Sequence, residues 1–305
     1  MKQLLDQVVK EAGTIIVGKE QTLRLALTCL LANGHLLIED LPGVGKTTLA
    51  HTLARLLGLQ YQRIQFTSDL LPADIIGVSV YHRGDESFQF HPGPVFSQLL
   101  LADEINRATP KAQSALLEAM EERQVTSDGI TRGLPLPFFV IATQNPAHQI
   151  GTFPLPESQL DRFLMRIPIG YPDSRSERTL LKGEDRRNLL GRLAPCLSLE
   201  QLRALQQQVS QVHVSDALLD YIQALLKFSR SSPRFHHGLS PRAGLALINS
   251  ARAWALQAGH PQVLPEDVQA VLSATVAHRL HSGSDTGVDE GERLAQFLLE
   301  SVPLP

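Results

Sequence analysis

The nine residues Asp40-Leu41-Pro42-Gly43-Val44-Gly45-Lys46-Thr47-Thr48 constrain this chain more than any other feature. They follow the apolar run His35-Leu36-Leu37-Ile38-Glu39 and open a helical stretch. A loop of that make-up between strand and helix turns backbone N–H groups inward around a phosphate, and the helix N-terminus adds positive potential. In such a loop Lys46 reaches the β- and γ-phosphates and the Thr47 hydroxyl binds Mg²⁺, with Pro42, Gly43, Val44, Gly45 and Thr48 completing the wall. Where the usual pattern begins with glycine, this chain has Asp40. Aspartate tolerates a left-handed backbone better than most residues, which lets the loop form. The competing reading is a plain strand–turn–helix with Gly and Pro as turn formers.

A second string weighs against that competitor. Leu99-Leu100-Leu101-Ala102-Asp103-Glu104 is an apolar strand ending in two carboxylates, and open α/β sheets bind ligands at the C-terminal edge of their strands. Asp103 is placed to hold a hydrated Mg²⁺, and Glu104 to orient and polarise an attacking water. Phe138 to Thr143 is another apolar strand, followed by Gln144-Asn145. Asn145 can hydrogen-bond that water or the γ-phosphate, although Asn before Pro146 is also a common turn starter.

With Tyr61 to Phe66 and Leu164 to Ile169, these runs predict a five-stranded parallel sheet covered by helices on both faces. Two segments interrupt the alternation. Val78–Tyr81 and Ser87–Phe90 flank Gly84-Asp85, and Val125–Ser127 and Ile130–Arg132 flank Asp128-Gly129, so both read as inserted hairpins. From residue 172 the pattern turns helical: Ser215 caps one helix, Ser240-Pro241 opens another, and Pro265 starts a third running to about His281. The turn-rich stretch His281 to Gly291 precedes a last short helix. The expected division is an α/β core over 1–171 and an all-α domain over 172–305.

Composition narrows the partners. Lys+Arg 28 against Asp+Glu 31 gives a formal charge of -3, without the basic excess of a chain that grips nucleic acid. No apolar run reaches membrane-spanning length, and the N-terminus lacks the apolar core of a signal peptide, so a cytoplasmic location is expected. Cys29 and Cys196 are too few for a disulfide framework and read as reduced thiols. His236-His237 and His278 with His281 are the nearest metal candidates, and neither has the HExxH spacing.

Four arginines remain. Arg162 lies in Asp161-Arg162-Phe163 before the fifth strand, with Arg166 three residues beyond Phe163, and Arg107 follows the acidic pair. Arg242 stands in the first turn of the helix opened by Ser240-Pro241. A cation there opposes the helix dipole at a cost of a few tenths to about 1 kcal/mol, which a phosphate would offset. Surface salt bridges are the bland reading of all four.

Five strings together resemble the MoxR family of AAA+ ATPases over nearly the whole chain: Glu39 to Thr47, Leu101 to Ala108, Ala142 to Pro146, Leu160 to Leu164, and Ser240 to Ala243. That resemblance implies that Asn145 is sensor 1, Arg242 sensor 2 and Arg162 the arginine finger, with Arg166 and Arg107 as rivals for the finger. It also implies that Val17 and Gly18 pack on adenine, that Asp40 is tolerated at its position, and that the hairpins are the helix-2 and pre-sensor-1 inserts. The implied protein is an MgATP-hydrolysing ring, a hexamer, that remodels a protein client with a von Willebrand factor A domain partner. Arg242 could serve its own nucleotide or a neighbour's. A DNA-acting motor and a nucleotide-gated binding module with little hydrolysis are the alternatives. The acidic balance and the few basic residues at the hairpin tips argue against the first. The intact Asp103, Glu104 and Asn145 argue against the second.

Overall fold

The computed structural model describes residues 2–84, 86–145, 152–183, 186–282 and 290–304. Asp85, Pro146 and most of the stretch between His281 and Gly291 lie outside the described residues.

Among the described residues nine strands form: β1 Leu36–Glu39, β2 Tyr61–Gln65, β3 Gly77–His82, β4 Ser87–Pro92, β5 Leu99–Asp103, β6 Gln124–Ser127, β7 Ile130–Gly133, β8 Phe139–Gln144 and β9 Met165–Ile167. Five of them make one parallel sheet in the order β2-β5-β8-β1-β9. Successive residues on a strand face opposite ways, and the core obeys this. Leu36, Ile38, Leu99, Leu101, Phe139 and Ile141 feed one apolar cluster. Leu37, Leu100, Ala102, Val140 and Ala142 feed the other. β1, β5 and β8 are therefore buried on both faces, as their continuous apolar runs require. β2 closes one side of the sheet, and its Gln62, Arg63 and Gln65 are exposed.

The hairpins β3–β4 and β6–β7 are separate two-stranded sheets. Asp128 and Gly129 both adopt positive φ, 54° and 74°, the backbone that a tight two-residue turn requires.

Thirteen α-helices are described: α1 Lys2–Ile15, α2 Glu20–Leu31, α3 Lys46–Leu56, α4 Pro72–Ile76, α5 Pro110–Glu122, α6 Glu157–Leu160, α7 Ser174–Lys182, α8 Arg186–Arg192, α9 Leu199–Gln211, α10 Asp216–Ser231, α11 Pro241–Ala258, α12 Pro265–Val276 and α13 Glu290–Ser301. The caps read from sequence are present: Ser215 accepts from Leu218 N–H and Ser240 from Ala243 N–H. α12 stops at Val276, short of the expected His281, and tightens into a 3₁₀ turn over Ala277–Arg279. There Arg279 is drawn to the Asp161 carboxylate at 2.6 Å and the Phe163 carbonyl at 2.8 Å. α11 packs on α1, α2 and α9, and the C-terminal helices share one apolar cluster with the N-terminal ones. Cys29 is buried, Cys196 is half-buried, and both are free thiols. Among the described residues, no helix is long and apolar enough to cross a membrane.

Candidate active site

The loop between β1 and α3 carries two left-handed glycines, Gly43 at φ +86° and Gly45 at φ +96°. A β-carbon at either would meet open space, so what selects glycine there is backbone conformation and not crowding. Gly45 precedes α3 without a side-chain cap, and the first α3 bond runs from Leu49 N to Gly45 O. The N–H groups of the first turn are thus left to face a ligand, which suits an anion.

Asp40 does not use the left-handed backbone that its residue type allows. Its carboxylate works as a bolt instead. Oδ2 accepts from Ile169 N at 2.7 Å and Gly170 N at 2.5 Å, and Oδ1 from Leu41 N at 2.7 Å. The loop's first residue is thereby tied to the segment after β9 by charge-assisted bonds that glycine could not make.

The lysine ammonium is buried at the mouth of the loop. Lys46 Nζ donates to Asp40 O at 2.5 Å, Asn145 Oδ1 at 3.0 Å and Gln144 O at 3.5 Å. Burial lowers its pKa, and the nearby carboxylates of Asp40, Asp103, Glu104 and Glu39 work against that shift. Three acceptors match its three N–H bonds, and a phosphate oxygen can replace the weakest, Gln144.

The parallel register sets the strand tips side by side. Thr47 Oγ1 lies 3.4 Å from Asp103 Oδ2, and Thr143 donates to Asp103 Oδ1 at 2.6 Å. The same Thr143 oxygen accepts from Glu104 N at 2.8 Å. Glu104 is left-handed at φ 56°, a conformation that non-glycine residues hold at some cost and that clusters at functional sites. Its Oε1 accepts from Asn145 Nδ2 at 3.1 Å, and Oε2 from Gln65 and Arg107, each at 2.9 Å. Asn145 is only 4% exposed and bridges Lys46 to Glu104. Asn106 Nδ2 fixes the Asn145 carbonyl at 3.1 Å. Thr47 and Asp103 are the hard oxygen donors that magnesium takes. Among the described residues, no group of three or more His, Cys, Asp or Glu side chains gathers for a metal. The rest of that ion's shell would thus be phosphate and water.

Gly18, at φ +74°, abuts Ser176 and Asp173 at the start of α7, and Lys19 donates to Tyr171 O at 2.7 Å. Gly18 and Lys19, next to Val17, thus lie against residues 171–176, which follow the Gly170 that Asp40 holds.

Arg162 and Arg242 go elsewhere. They line a cavity of about 550 Å³ with Asn33, Gly34, His35, Glu121 and Asp161, at the N-terminal edge of the sheet. The four residues of β1 separate it from Asp40, roughly 13 Å at about 3.3 Å per residue. Neither side chain can cross that span to its own phosphate loop. Arg162 Nε pairs with Glu121 at 2.9 Å; Arg242 pairs with Glu121 at 3.3 Å and Asp161 at 3.7 Å. These carboxylates offset the unfavourable helix position of Arg242, where the sequence had suggested a phosphate. Arg166 is engaged with Glu39 on β1 at 2.7 Å, both side chains 18% exposed. Arg107 holds Glu104 of its own site. His278 is buried, with Nε2 3.1 Å from Phe163 O.

Similarity to known proteins decides the family. Residues 35–165 match the ATPase family associated with various cellular activities (AAA), and 227–296 match the AAA lid domain. The chain is 41% identical to Chaperone MoxR1 of Mycobacterium tuberculosis, over 99% of this chain and 82% of that one. It is 34% identical to Protein MoxR of Paracoccus denitrificans, over 87% and 85%.

This chain belongs to the MoxR family of AAA+ ATPases.

The MoxR-family chain is also 42% identical to the uncharacterized YeaC of Bacillus subtilis, over 99% of this chain and 95% of YeaC. A crystal structure of a candidate ATPase from Cytophaga hutchinsonii superposes with a TM-score of 0.88 at 34% identity, covering 100% of this chain and 96% of that one. Sequence reasoning missed four residues of this MoxR-family site: Arg63, Gln65, Thr143 and Asn106. No local signal marked the first two, because the pairing of β2 beside β5 is what brings them to the acidic pair.

Proposed function

We propose that this chain hydrolyses ATP to ADP and phosphate in a ring of like subunits, a hexamer, in which each site is completed by arginines of the next subunit. The observation that carries this reading is the separation of Arg162 and Arg242 from their own phosphate loop, at opposite ends of β1. If Arg162 or Arg242 serves a γ-phosphate, it is then a neighbour's, in addition to the Lys46 that each loop supplies for itself.

Within one subunit, the loop amides of Gly43 to Thr48 and Lys46 bind the phosphates, with Val17 and Gly18 against adenine. Thr47 and Asp103 would hold magnesium, which would neutralise phosphate charge there. Glu104 orients the attacking water and accepts its proton, while Asn145 keeps the carboxylate aligned between water and γ-phosphate. The neighbour's Arg162 stabilises charge on the transferring group, and Arg242 adds a second cation. Their exposure beside Glu121, an acid they can exchange for phosphate, supports that role.

The helical domain over 172–305 would rock against the 1–171 core on turnover and move the two hairpins against a protein client. One relative is named a chaperone, which supports remodelling of a client. A von Willebrand factor A domain partner follows from the family resemblance. Mixed subunits test the ring: Lys46→Ala and Arg162→Ala chains each alone should be inactive. A one-to-one mixture should regain part of the turnover, because a Lys46→Ala chain lends Arg162 to an intact neighbouring loop. Mixed assemblies that form and stay inactive would overturn the shared site.

A further inference from the structure

Edge strand β2 brings to the acidic pair a cation that the reaction above does not use. Arg63 donates to Asp103 Oδ2 through Nη2 at 2.7 Å and Nε at 3.1 Å. Nη2 also donates to Gln65 Oε1 at 2.7 Å, and Gln65 Nε2 donates to Glu104 Oε2 at 2.9 Å. Arg63 and Gln65 lie two apart, on one side of β2, so they join both carboxylates in one chain of bonds. The side of Asp103 that Arg63 approaches matters. Oδ1 is closed off by Thr143, whereas Oδ2 is the oxygen next to Thr47 Oγ1. The guanidinium therefore stands on the face of Asp103 that a magnesium ion bound to Thr47 would meet.

We propose that Arg63 is a positioning residue that sets the magnesium requirement of this site, its fixed charge sharing Asp103 Oδ2 with the divalent ion and weakening that ion's hold. The inference rests on the MgATP reading of the loop. Its physical basis is repulsion between a unit charge and a divalent one a few ångströms apart. With Arg63 47% exposed, the effective dielectric is high, and the expected change is about tenfold in magnesium affinity. A plain structural tie from β2 to β5 would instead change stability and leave the magnesium midpoint alone.

The test is equilibrium binding of a fluorescent ATP analogue to the full chain, titrated with Mg²⁺ at fixed nucleotide. It compares wild type, Arg63→Gln, Arg63→Met and Arg63→Lys, each checked by thermal unfolding. Removing the charge should lower the magnesium midpoint by about tenfold, and Arg63→Lys should stay near wild type. The gap should shrink as salt rises from about 0.05 M to about 0.5 M, because exposed charges are screened. A midpoint that is unchanged or higher in the folded neutral variants overturns the role of Arg63. A wild-type chain that binds no nucleotide at any magnesium level sinks the ATP reading itself, a different result from the first.

Discussion

The two edges of the parallel sheet handle charge in opposite ways. At the C-terminal edge the acids Asp103 and Glu104 are gathered inward, each held by several donors from other strands. Lys46 lies buried beside them. At the N-terminal edge the arginines Arg162 and Arg242 stand partly in solvent, 31% and 50% exposed, and share one carboxylate, Glu121. On the proposed reading, the first edge receives a ligand in its own subunit. The second keeps two cations soluble and available, each restrained by ion pairs of the weak, solvent-screened kind. On the proposed reading these are complementary half-sites, an arrangement that suits a head-to-tail ring, whose contacts repeat without self-complementarity.

If that division of labour holds, mutations at the two edges should fail differently. The largest expected effect is that of Arg162→Ala, which should lower turnover by about 10³–10⁵. Nucleotide affinity in the same variant, read by equilibrium binding, should change little. Loss of affinity in step with turnover would place Arg162 in its own site and break the comparison. Lys46→Ala should weaken ATP binding by roughly a hundredfold or more, since it removes the buried ammonium that meets the phosphates. Isothermal titration would show near-normal affinity if the loop did not hold triphosphate.

A third prediction concerns the far edge alone. His35 lines the arginine cavity, its Nδ1 accepting from Val140 N at 3.0 Å and its Nε2 3.2 Å from Met120 O. Burial lowers its pKa to about 4. Because the folded value lies below the unfolded one, near 6.5, the stabilisation is fully present above about pH 6.5 and is lost as pH falls toward 4. Denaturant unfolding should show about 2–3 kcal/mol lost across that window, and less in His35→Gln. An equal loss in both would assign the acid sensitivity to other groups. The smallest effect is expected for Asp40→Ala, which leaves the Ile169 and Gly170 amides without their acceptor and should cost about 1–3 kcal/mol of stability. A stability identical to wild type would show that Asp40 is not the bolt it forms here.

Much of the C-terminal edge's local structure was legible in the sequence because its parts are local. Gly43 and Gly45 announce a loop of left-handed backbone, Asp103 and Glu104 end an apolar run, and Asp128-Gly129 marks a tight turn. Each lesson lies within a few residues, where backbone preference and period decide the outcome. Asp40 shows the limit of such reasoning. Its residue type suggested a tolerated left-handed turn, while its actual partners lie some 130 residues further along the chain.

By itself the sequence determined the strands, the caps and the hairpins, since short-range sterics and polarity specify those. The tertiary structure alone decided which charges meet. It set β2 beside β5 so that Arg63 and Gln65 face the acidic pair, gave Arg166 to Glu39, and carried Arg162 and Arg242 to one cavity away from their own loop. The physical reason is that parallel pairing and helix packing join segments tens to hundreds of residues apart, and no local period records which strand will lie next to which.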